Sequence, residues 1–260
     1  GGLHQAGETL VQQDLADSLR RIAATAGRDF YTGDTAKAIT AEMTHQGGLV
    51  TMKDLAAYRP IWRQAVRGSY RGYQIASMPP PSSGGVHLIQ MLNMLELFPL
   101  AKLGHNGADG LHLMAEAMKL VYADRARHLG DPDFWAVPIK GLTSKAYAKS
   151  LAAGIDPRRA RPSVQISHGD PAPYESNETT HFSVMDGAGN VVSNTYTLNF
   201  SFGTGIVAPG TGILLNNEMD DFSAKPGVPN AFGLVGGEAN AIQGGKRPLS
   251  SMTPTIVLKD

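Results

Sequence analysis

Hydrophobic residues in the first two thirds of the chain recur at helical spacing, whereas those in the last third alternate at strand spacing. The spacing of three and four residues predicts amphipathic helices over five segments, 9–27, 34–46, 86–98, 109–129 and 144–153. A strand is predicted over 70–78, and the run 79–85 should end it in a rigid bend, because its three prolines lack backbone donors. The polar, proline-rich tract 156–173 predicts an exposed connector.

The first predicted helix has start and stop signals of its own. Thr9 and Gln12 have the spacing of a capping box, and Gly27 is a typical stop. Its apolar face would consist of Val11, Leu15, Leu19 and Ile22. The pattern therefore predicts a helix that packs one face against a core.

The stretch 178–199 predicts a β-hairpin. Apolar residues flank the cluster D-G-A-G-N at 186–190, which is typical of two strands joined by a three-residue loop that contains glycine. Centring the loop on its alanine makes the numbers of opposed residues sum to 376, so Thr179 faces Thr197. Asn199 would then share the face of Thr197. By strand propensity alone, such a threonine pair is an ordinary cross-strand contact.

Composition excludes some classes of function. The chain has 260 residues, is 42% hydrophobic and carries 23 basic and 23 acidic side chains, a balance that argues against a nucleic-acid partner. It has no cysteine, so disulfides and thiol chemistry are excluded and the redox compartment stays open. Eight histidines occur without a metal-ligand pair on one helix face, and we expect no metal site. Neither a signal peptide nor an apolar run near 18 residues is present, which predicts a soluble chain.

Several short sequence motifs, in fixed order, resemble those of the γ-glutamyltranspeptidase family of N-terminal-nucleophile hydrolases. They are Y-E-S-N-E-T-T-H-F-S-V (174–184), N-T-Y-T-L-N (194–199), F-G-T-G-I-V (202–207), G-I-L-L-N-N-E-M-D-D-F-S (212–223), K-P-G-V-P-N (225–230) and K-R-P-L-S-S-M-T-P-T-I (246–256). The resemblance implies an α+β fold of the four-layer αββα sandwich type. It also implies a precursor, or zymogen, that cuts itself between Glu178 and Thr179.

The expected cut divides the chain into two pieces. Residues 1–178, mostly helical, would be the C-terminal part of the large subunit, and the strand-rich residues 179–260 the N-terminal part of the small subunit. Together they should form one structural domain and remain associated after cleavage. Because relatives continue beyond both ends, we expect the chain to be the central portion of a longer precursor.

The resemblance assigns the chemistry to Thr179. A threonine hydroxyl is inert near neutral pH without a base beside it, and an α-amino group of pKa about 8 is such a base once the preceding peptide bond is broken. The Thr179 hydroxyl would therefore be unreactive in the precursor and nucleophilic after cleavage. Thr197, which matches the family's second catalytic threonine, would hold the hydroxyl of Thr179 in place by a hydrogen bond.

The same resemblance assigns the substrate pocket. Asn199, Glu218 and Asp221 would take the α-amino group of a γ-glutamyl substrate, and Ser250 and Ser251 its α-carboxylate. The family's carboxylate-binding arginine and its oxyanion Gly-Gly pair match nothing in these 260 residues. The lid loop matches 226–237, where Phe232 stands in place of a gating tyrosine found in some relatives.

The expected protein is thus a γ-glutamyl transferase and glutathione hydrolase that needs no cofactor. It would act on glutathione and related γ-glutamyl compounds, with water, an amino acid or a peptide as acceptor. By family resemblance it would be periplasmic or secreted. Two alternatives stay open: an acylase for glutaryl-type groups, which lack the ammonium, and a non-processing fragment that only binds γ-glutamyl ligands.

Overall fold

The structure is a computed structural model that describes residues 4–171, 182–231 and 233–259. Its helices are α1 (Gln13–Ala24), α2 (Arg28–Thr32), α3 (Asp34–His45), α4 (Met52–Ala57), α5 (Gly84–Leu95), α6 (Ala108–His128), α7 (Ile139–Leu142) and α8 (Lys145–Ala152). Its strands are β1 (Val66–Tyr70), β2 (Tyr73–Ser77), β3 (Phe182–Met185), β4 (Val191–Asn194), β5 (Val207–Ala208), β6 (Ile213–Leu214) and β7 (Thr255–Lys259). The described part of the chain is therefore mixed α+β and forms two compact units.

The first unit comprises the described residues of 1–62 and 198–217. It contains α1 to α4 and the β5–β6 pair. Its helices are joined through Asp29, which is buried. The Asp29 carboxylate accepts hydrogen bonds from the Asp34 amide and the Thr35 hydroxyl and lies 3.5 Å from the Arg21 guanidinium. The Thr35 hydrogen bond, the largest cause, and the neighbouring amides and cation hold the pKa of Asp29 below its usual range.

The prediction for the first helix is partly wrong. Helix α1 begins at Gln13, and its N-cap, Gln12, makes no capping hydrogen bond with its side chain. The capping box of Thr9 and Gln12 therefore does not form. Val11 is 74% exposed and Leu19 is 55% exposed, so the expected apolar face is only partly buried within this unit.

The second unit comprises the described residues of 63–197 and 218–260. Its three-stranded antiparallel sheet has the order β1-β2-β7, and β3 and β4 form a separate hairpin. The predicted strand over 70–78 is corrected here. Arg71 and Gly72 both have positive φ and form a two-residue turn, so that Tyr70 ends β1 and only Tyr73–Ser77 forms β2.

Helix α5 packs on this sheet and links it to the helical layer. Val66 and Ile75 of the sheet pack against Ile89 of α5. Helix α5 comes so close to β1 that a Cβ at Gly68 would lie 2.6 Å from Ile89, which only glycine allows. A larger apolar cluster joins α5, α6 and α8, with Met94, Leu95, Leu113, Ala117, Leu120, Val121, Ala148, Ala152 and Ile155 buried. These helices lie close to their predicted bounds.

The connector after α8 is mostly exposed from 156 to 170, as predicted. Its end is tied to the helical layer by Asp124 of α6, which is buried. The Asp124 carboxylate accepts hydrogen bonds from Gln90 (2.6 Å), Tyr147 (2.9 Å) and the Gly169 amide (2.8 Å). A buried carboxylate with three donors is satisfied, and it fixes the chain shortly before the expected cut.

Candidate active site

The hairpin formed by β3 and β4 has the predicted register. Its described pairs run from Phe182 opposite Asn194 to Met185 opposite Val191, and the two numbers of each pair sum to 376. At the loop, Gly189 has φ +83°, and the Asp186 carboxylate accepts hydrogen bonds from the amides of Ala188 and Asn190 at 2.9 Å. The aspartate and the glycine therefore fix the loop, and the loop fixes the register.

The predicted nucleophile lies outside the described residues, as do Glu178 and Phe232. Thr197 is described and exposed, but its pairing with Thr179 stays a prediction. Strand β4 ends at Asn194, and Asn199 has φ +70°. The strand alternation that was expected to carry Asn199 onto the face of Thr197 therefore does not reach it. Within the first unit, the Asn199 amide donates to the Asn217 carbonyl at 3.1 Å.

Glu218 and Asp221 lie on one short 3₁₀ turn, Glu218–Asp221, of the second unit. Residues three apart in a 3₁₀ turn project to the same side, which brings the two carboxyl groups together. Burial, the charge of Asp221 and a hydrogen bond between the two side chains raise the pKa of Glu218 to about 7. Burial also raises the pKa of Asp221, although the charge of Arg125 opposes that rise. We therefore expect the pair to share one proton below about pH 7, with Glu218 as the donor.

Arg125, which sequence reasoning missed, is buried and acts on Asp221 of this turn through its charge. Its Nε donates to the Ser83 hydroxyl at 3.1 Å, and one Nη donates to the Leu249 carbonyl at 3.3 Å and the Ser251 hydroxyl at 3.4 Å. A signal existed in the sequence, because Arg125 continues a series of core positions on α6 at spacing four, namely Leu113, Ala117 and Val121. A charged residue on the apolar face of a helix requires buried partners.

The loop that carries Ser250 and Ser251 is held by the bend that follows β2. The Ser250 amide donates to the Pro81 carbonyl at 3.0 Å, and the Ser83 amide donates to the Ser250 carbonyl at 2.9 Å. Ser250 is buried, whereas Ser251 is exposed. The proline-rich bend was predicted only as the end of a strand, and in the structure it positions one of the predicted pocket loops.

Asn240 joins the serine loop to the acidic turn. Its side-chain amide donates to the Asp221 carbonyl at 2.6 Å, and its side-chain oxygen accepts from the Leu249 amide at 3.0 Å. Asn240 is itself buried. The structure therefore brings four of the predicted substrate residues, Glu218, Asp221, Ser250 and Ser251, into one connected framework around Arg125.

A cavity of about 180 Å³ opens beside this framework, and Arg125, Asp221 and Asn240 are among its lining residues. Asn230 and Leu234 of the predicted lid loop also line it. Within the loop, the Asn230 amide donates to the Leu234 carbonyl, and the Asn230 side chain donates to the Asp220 carbonyl at 3.2 Å. The predicted lid loop is thus attached to the acidic turn.

The ranges that the structure describes are 4–171, 182–231 and 233–259. In these ranges no three or more His, Asp or Glu side chains group in a way that could hold a metal ion. The helices of the same ranges are too short or too polar to cross a membrane.

Comparisons with known proteins agree on one family. The sequence profile of the family described as Gamma-glutamyltranspeptidase matches residues 1–260. The chain is 60% identical to the glutathione hydrolase proenzyme of Escherichia coli (strain K12) over 254 residues, which are 98% of this chain and 44% of that protein. It is 44% identical to the acylase ACY 1 proenzyme of Pseudomonas sp. (strain SE83), covering 98% of this chain and 43% of that protein.

A solved structure shares the fold. The crystal structure of cephalosporin acylase from Bacillus halodurans matches with a TM-score of 0.82 and 31% identity, covering 98% of this chain and 43% of that one. The chain therefore spans less than half the length of each of these three relatives.

Proposed function

Because the chain belongs to the γ-glutamyltranspeptidase family, we propose that the protein is a γ-glutamyl transferase and glutathione hydrolase. Its substrates would be glutathione and related γ-glutamyl compounds, and its acceptors water, an amino acid or a peptide. The observation that carries this proposal is the framework of Glu218, Asp221, Ser250 and Ser251 around Arg125. It offers carboxylates at one end and hydroxyl donors at the other, as the ammonium and carboxylate on the α-carbon of a γ-glutamyl group require.

The reaction would begin with self-cleavage. The Thr179 hydroxyl attacks the carbonyl carbon of Glu178, the peptide nitrogen takes up the proton, and the resulting ester is hydrolysed by water. The new α-amino group of Thr179 then serves as the base that activates its own hydroxyl. In turnover, Thr179 displaces the amine of the donor and forms a γ-glutamyl ester, which water or an acceptor amine opens. Thr197 would hold the nucleophile in position.

The same proposal extends to the fold and the location. The four-layer αββα sandwich would be completed by parts of the protein beyond this chain. The relatives that are named proenzymes support a zymogen that is processed into two pieces. A periplasmic or secreted location rests on the family resemblance alone.

A glutaryl-type acylase is the second candidate, favoured by the similarity to proteins named acylases. A glutaryl group has no ammonium, so it gains nothing from a pair of carboxylates. Glu218 and Asp221 would instead repel the free carboxylate of such a substrate. The acidic turn therefore favours the γ-glutamyl function.

The experiment compares the protein at its full natural length with its Thr179→Ala variant. The wild type should yield two pieces, and the second should begin with Thr-Thr-His-Phe-Ser by N-terminal sequencing. The variant, which lacks the attacking hydroxyl, should remain one chain. The processed enzyme should release the amine from a γ-glutamyl anilide far faster than from a glutaryl anilide. Cleavage of the alanine variant at the same bond, or a preference for the glutaryl substrate, would refute the proposal.

A further inference from the structure

Arg125 contacts the serine end of the proposed pocket and shares a cavity with its acidic end. It donates to the Ser251 hydroxyl, on the side of the serine loop, and it lines the cavity together with Asp221. Its charge also acts on Asp221, where it opposes the rise that burial causes in the pKa of that carboxyl. One buried guanidinium thus stands between the groups expected to bind the carboxylate and those expected to bind the ammonium.

The hydrogen bond to Ser251 has a directional consequence. An arginine N–H can only donate, so the Ser251 oxygen must be the acceptor. The single hydroxyl proton of Ser251 is then left for another partner. Ser251 is exposed, and a substrate carboxylate bound next to the serine loop could accept that proton. The guanidinium therefore decides which way the serine donates.

The hydrogen bonds of Arg125 to Ser83 and Leu249 fix the guanidinium itself. Ser83 accepts from the Arg125 Nε and passes its own proton to the Ser250 carbonyl at 3.0 Å. The Leu249 carbonyl accepts from the other end of the guanidinium. The planar fork is thus held at two points of the serine loop, an arrangement that the single ammonium of lysine cannot reproduce.

Charge balance also favours this arrangement. With one shared proton, Glu218 and Asp221 carry one negative charge, which offsets the positive charge of Arg125. Since an unbalanced buried charge is costly, the cation makes the carboxylate pair tolerable in the empty pocket.

We propose that Arg125 is a positioning residue that orients the Ser251 hydroxyl toward the substrate carboxylate. This inference rests on the proposed function. It goes beyond it by naming the buried arginine that sets the direction in which Ser251 donates.

The test uses competitive inhibitors that differ by one group. L-glutamate has both the ammonium and the α-carboxylate, whereas 4-aminobutanoate lacks only the α-carboxylate. Their inhibition constants against a γ-glutamyl anilide are measured with the protein at its full natural length. The inhibition constant of 4-aminobutanoate divided by that of L-glutamate reports what the carboxylate contributes to binding. Arg125→Lys keeps the charge and loses the fork, and Arg127→Lys is the control, because Arg127 lies on the same helical turn and is exposed.

Arg125→Lys should lower this ratio by about tenfold, the expected effect of losing one hydrogen bond to a charged group. Most of the change should come from weaker glutamate binding, with kcat within about threefold of the wild type, because Arg125 does not touch the reacting atoms. Arg127→Lys should leave the ratio unchanged. A merely structural role for Arg125 would weaken both inhibitors alike and leave the ratio intact.

An unchanged ratio in a folded and processed Arg125→Lys enzyme overturns the inference while leaving the proposed function standing. A wild-type enzyme that does not turn over the γ-glutamyl anilide overturns both. If Arg125→Lys does not fold, Ser83→Ala provides a milder change that removes the Nε acceptor together with the Ser83 hydrogen bond to the Ser250 carbonyl. It should lower the ratio in the same direction by about threefold, since the guanidinium loses one neutral acceptor, and an unchanged ratio in this variant overturns the inference too.

Discussion

The proton shared by Glu218 and Asp221 predicts a pH dependence of binding that one substitution should remove. Burial and the charge of Asp221 raise the pKa of Glu218 to about 7. A substrate ammonium in contact with this pair favours the ionised form, so the proton must leave when the ligand binds. Glutamine at this position keeps the shape and accepts a hydrogen bond, but it has no proton to lose. We therefore expect Glu218→Gln to abolish the pH dependence that Glu218 causes.

The magnitude follows from the pKa. Glu218 is protonated below its pKa and ionised above it, so the ammonium should bind weakly at low pH and tightly at high pH. With a pKa of about 7, the ionised fraction rises from about one tenth at pH 6 to about nine tenths at pH 8. The inhibition constant of L-glutamate should therefore fall about tenfold over this window in the wild type. In Glu218→Gln it should stay within about twofold, since the remaining carboxyl, Asp221, no longer competes for a proton.

The assay measures competitive inhibition by L-glutamate against a γ-glutamyl anilide at pH 6, 7 and 8, with the protein at its full natural length. An inhibition constant is used because the amino group of Thr179 titrates in the same window and affects turnover. Glu238→Gln is the control, since Glu238 is an exposed carboxylate of the second unit that lies outside the acidic turn. The reasoning is refuted if Glu218→Gln shows the same tenfold change as the wild type, or if the wild type shows none.

Two further substitutions test neighbouring parts of the site. Asp221→Asn keeps an acceptor but removes the charge that faces the ammonium, so KM for a γ-glutamyl anilide should rise about tenfold. Self-cleavage, measured on a gel, should stay normal. An unchanged KM would show that Asp221 does not belong to the pocket. Thr197→Val should slow self-cleavage far more than Thr197→Ser, with a stability change of only about 1 kcal/mol in urea unfolding. Tyr196→Phe is its control, and equal slowing by this variant would mean that Tyr196 and not Thr197 faces Thr179.

Local chemistry explains which predictions succeed. The hairpin register was predictable because Asp186 and Gly189 fix the loop by their own conformations, and the pairs of β3 and β4 follow from that loop. The turn between β1 and β2 was missed because arginine seldom adopts the positive φ that Arg71 has, 49°. The capping box was wrong since Thr9 lies three residues before the N-cap of α1, and no local rule decides which of several possible starts is used.

The substrate framework could be predicted only in part. Glu218, Asp221 and the two serines came from the family resemblance, whereas Arg125 was missed because it lies in none of the matching motifs. Its partners are remote in sequence: Ser83 lies 42 residues away and Ser251 lies 126 residues away. Such contacts depend on how α6, the proline-rich bend and the serine loop pack together. The hydrophobic periodicity of a single segment does not predict that packing. The buried charge on an apolar helix face was the one available sign.

These remote contacts also bear on what a cut between Glu178 and Thr179 would do. Strand β2 lies before the cut and β7 after it, yet the two pair along five residues, from Tyr73 opposite Lys259 to Ser77 opposite Thr255. Ser83 and Arg125 are likewise bonded to the serine loop across the same boundary. Breaking one peptide bond removes none of these interactions, because each is made within the second unit and none uses the residues at the cut. We therefore expect cleavage to free the amino group of Thr179 while the pocket residues on both sides keep their contacts, which is what a nucleophile that appears only after processing requires.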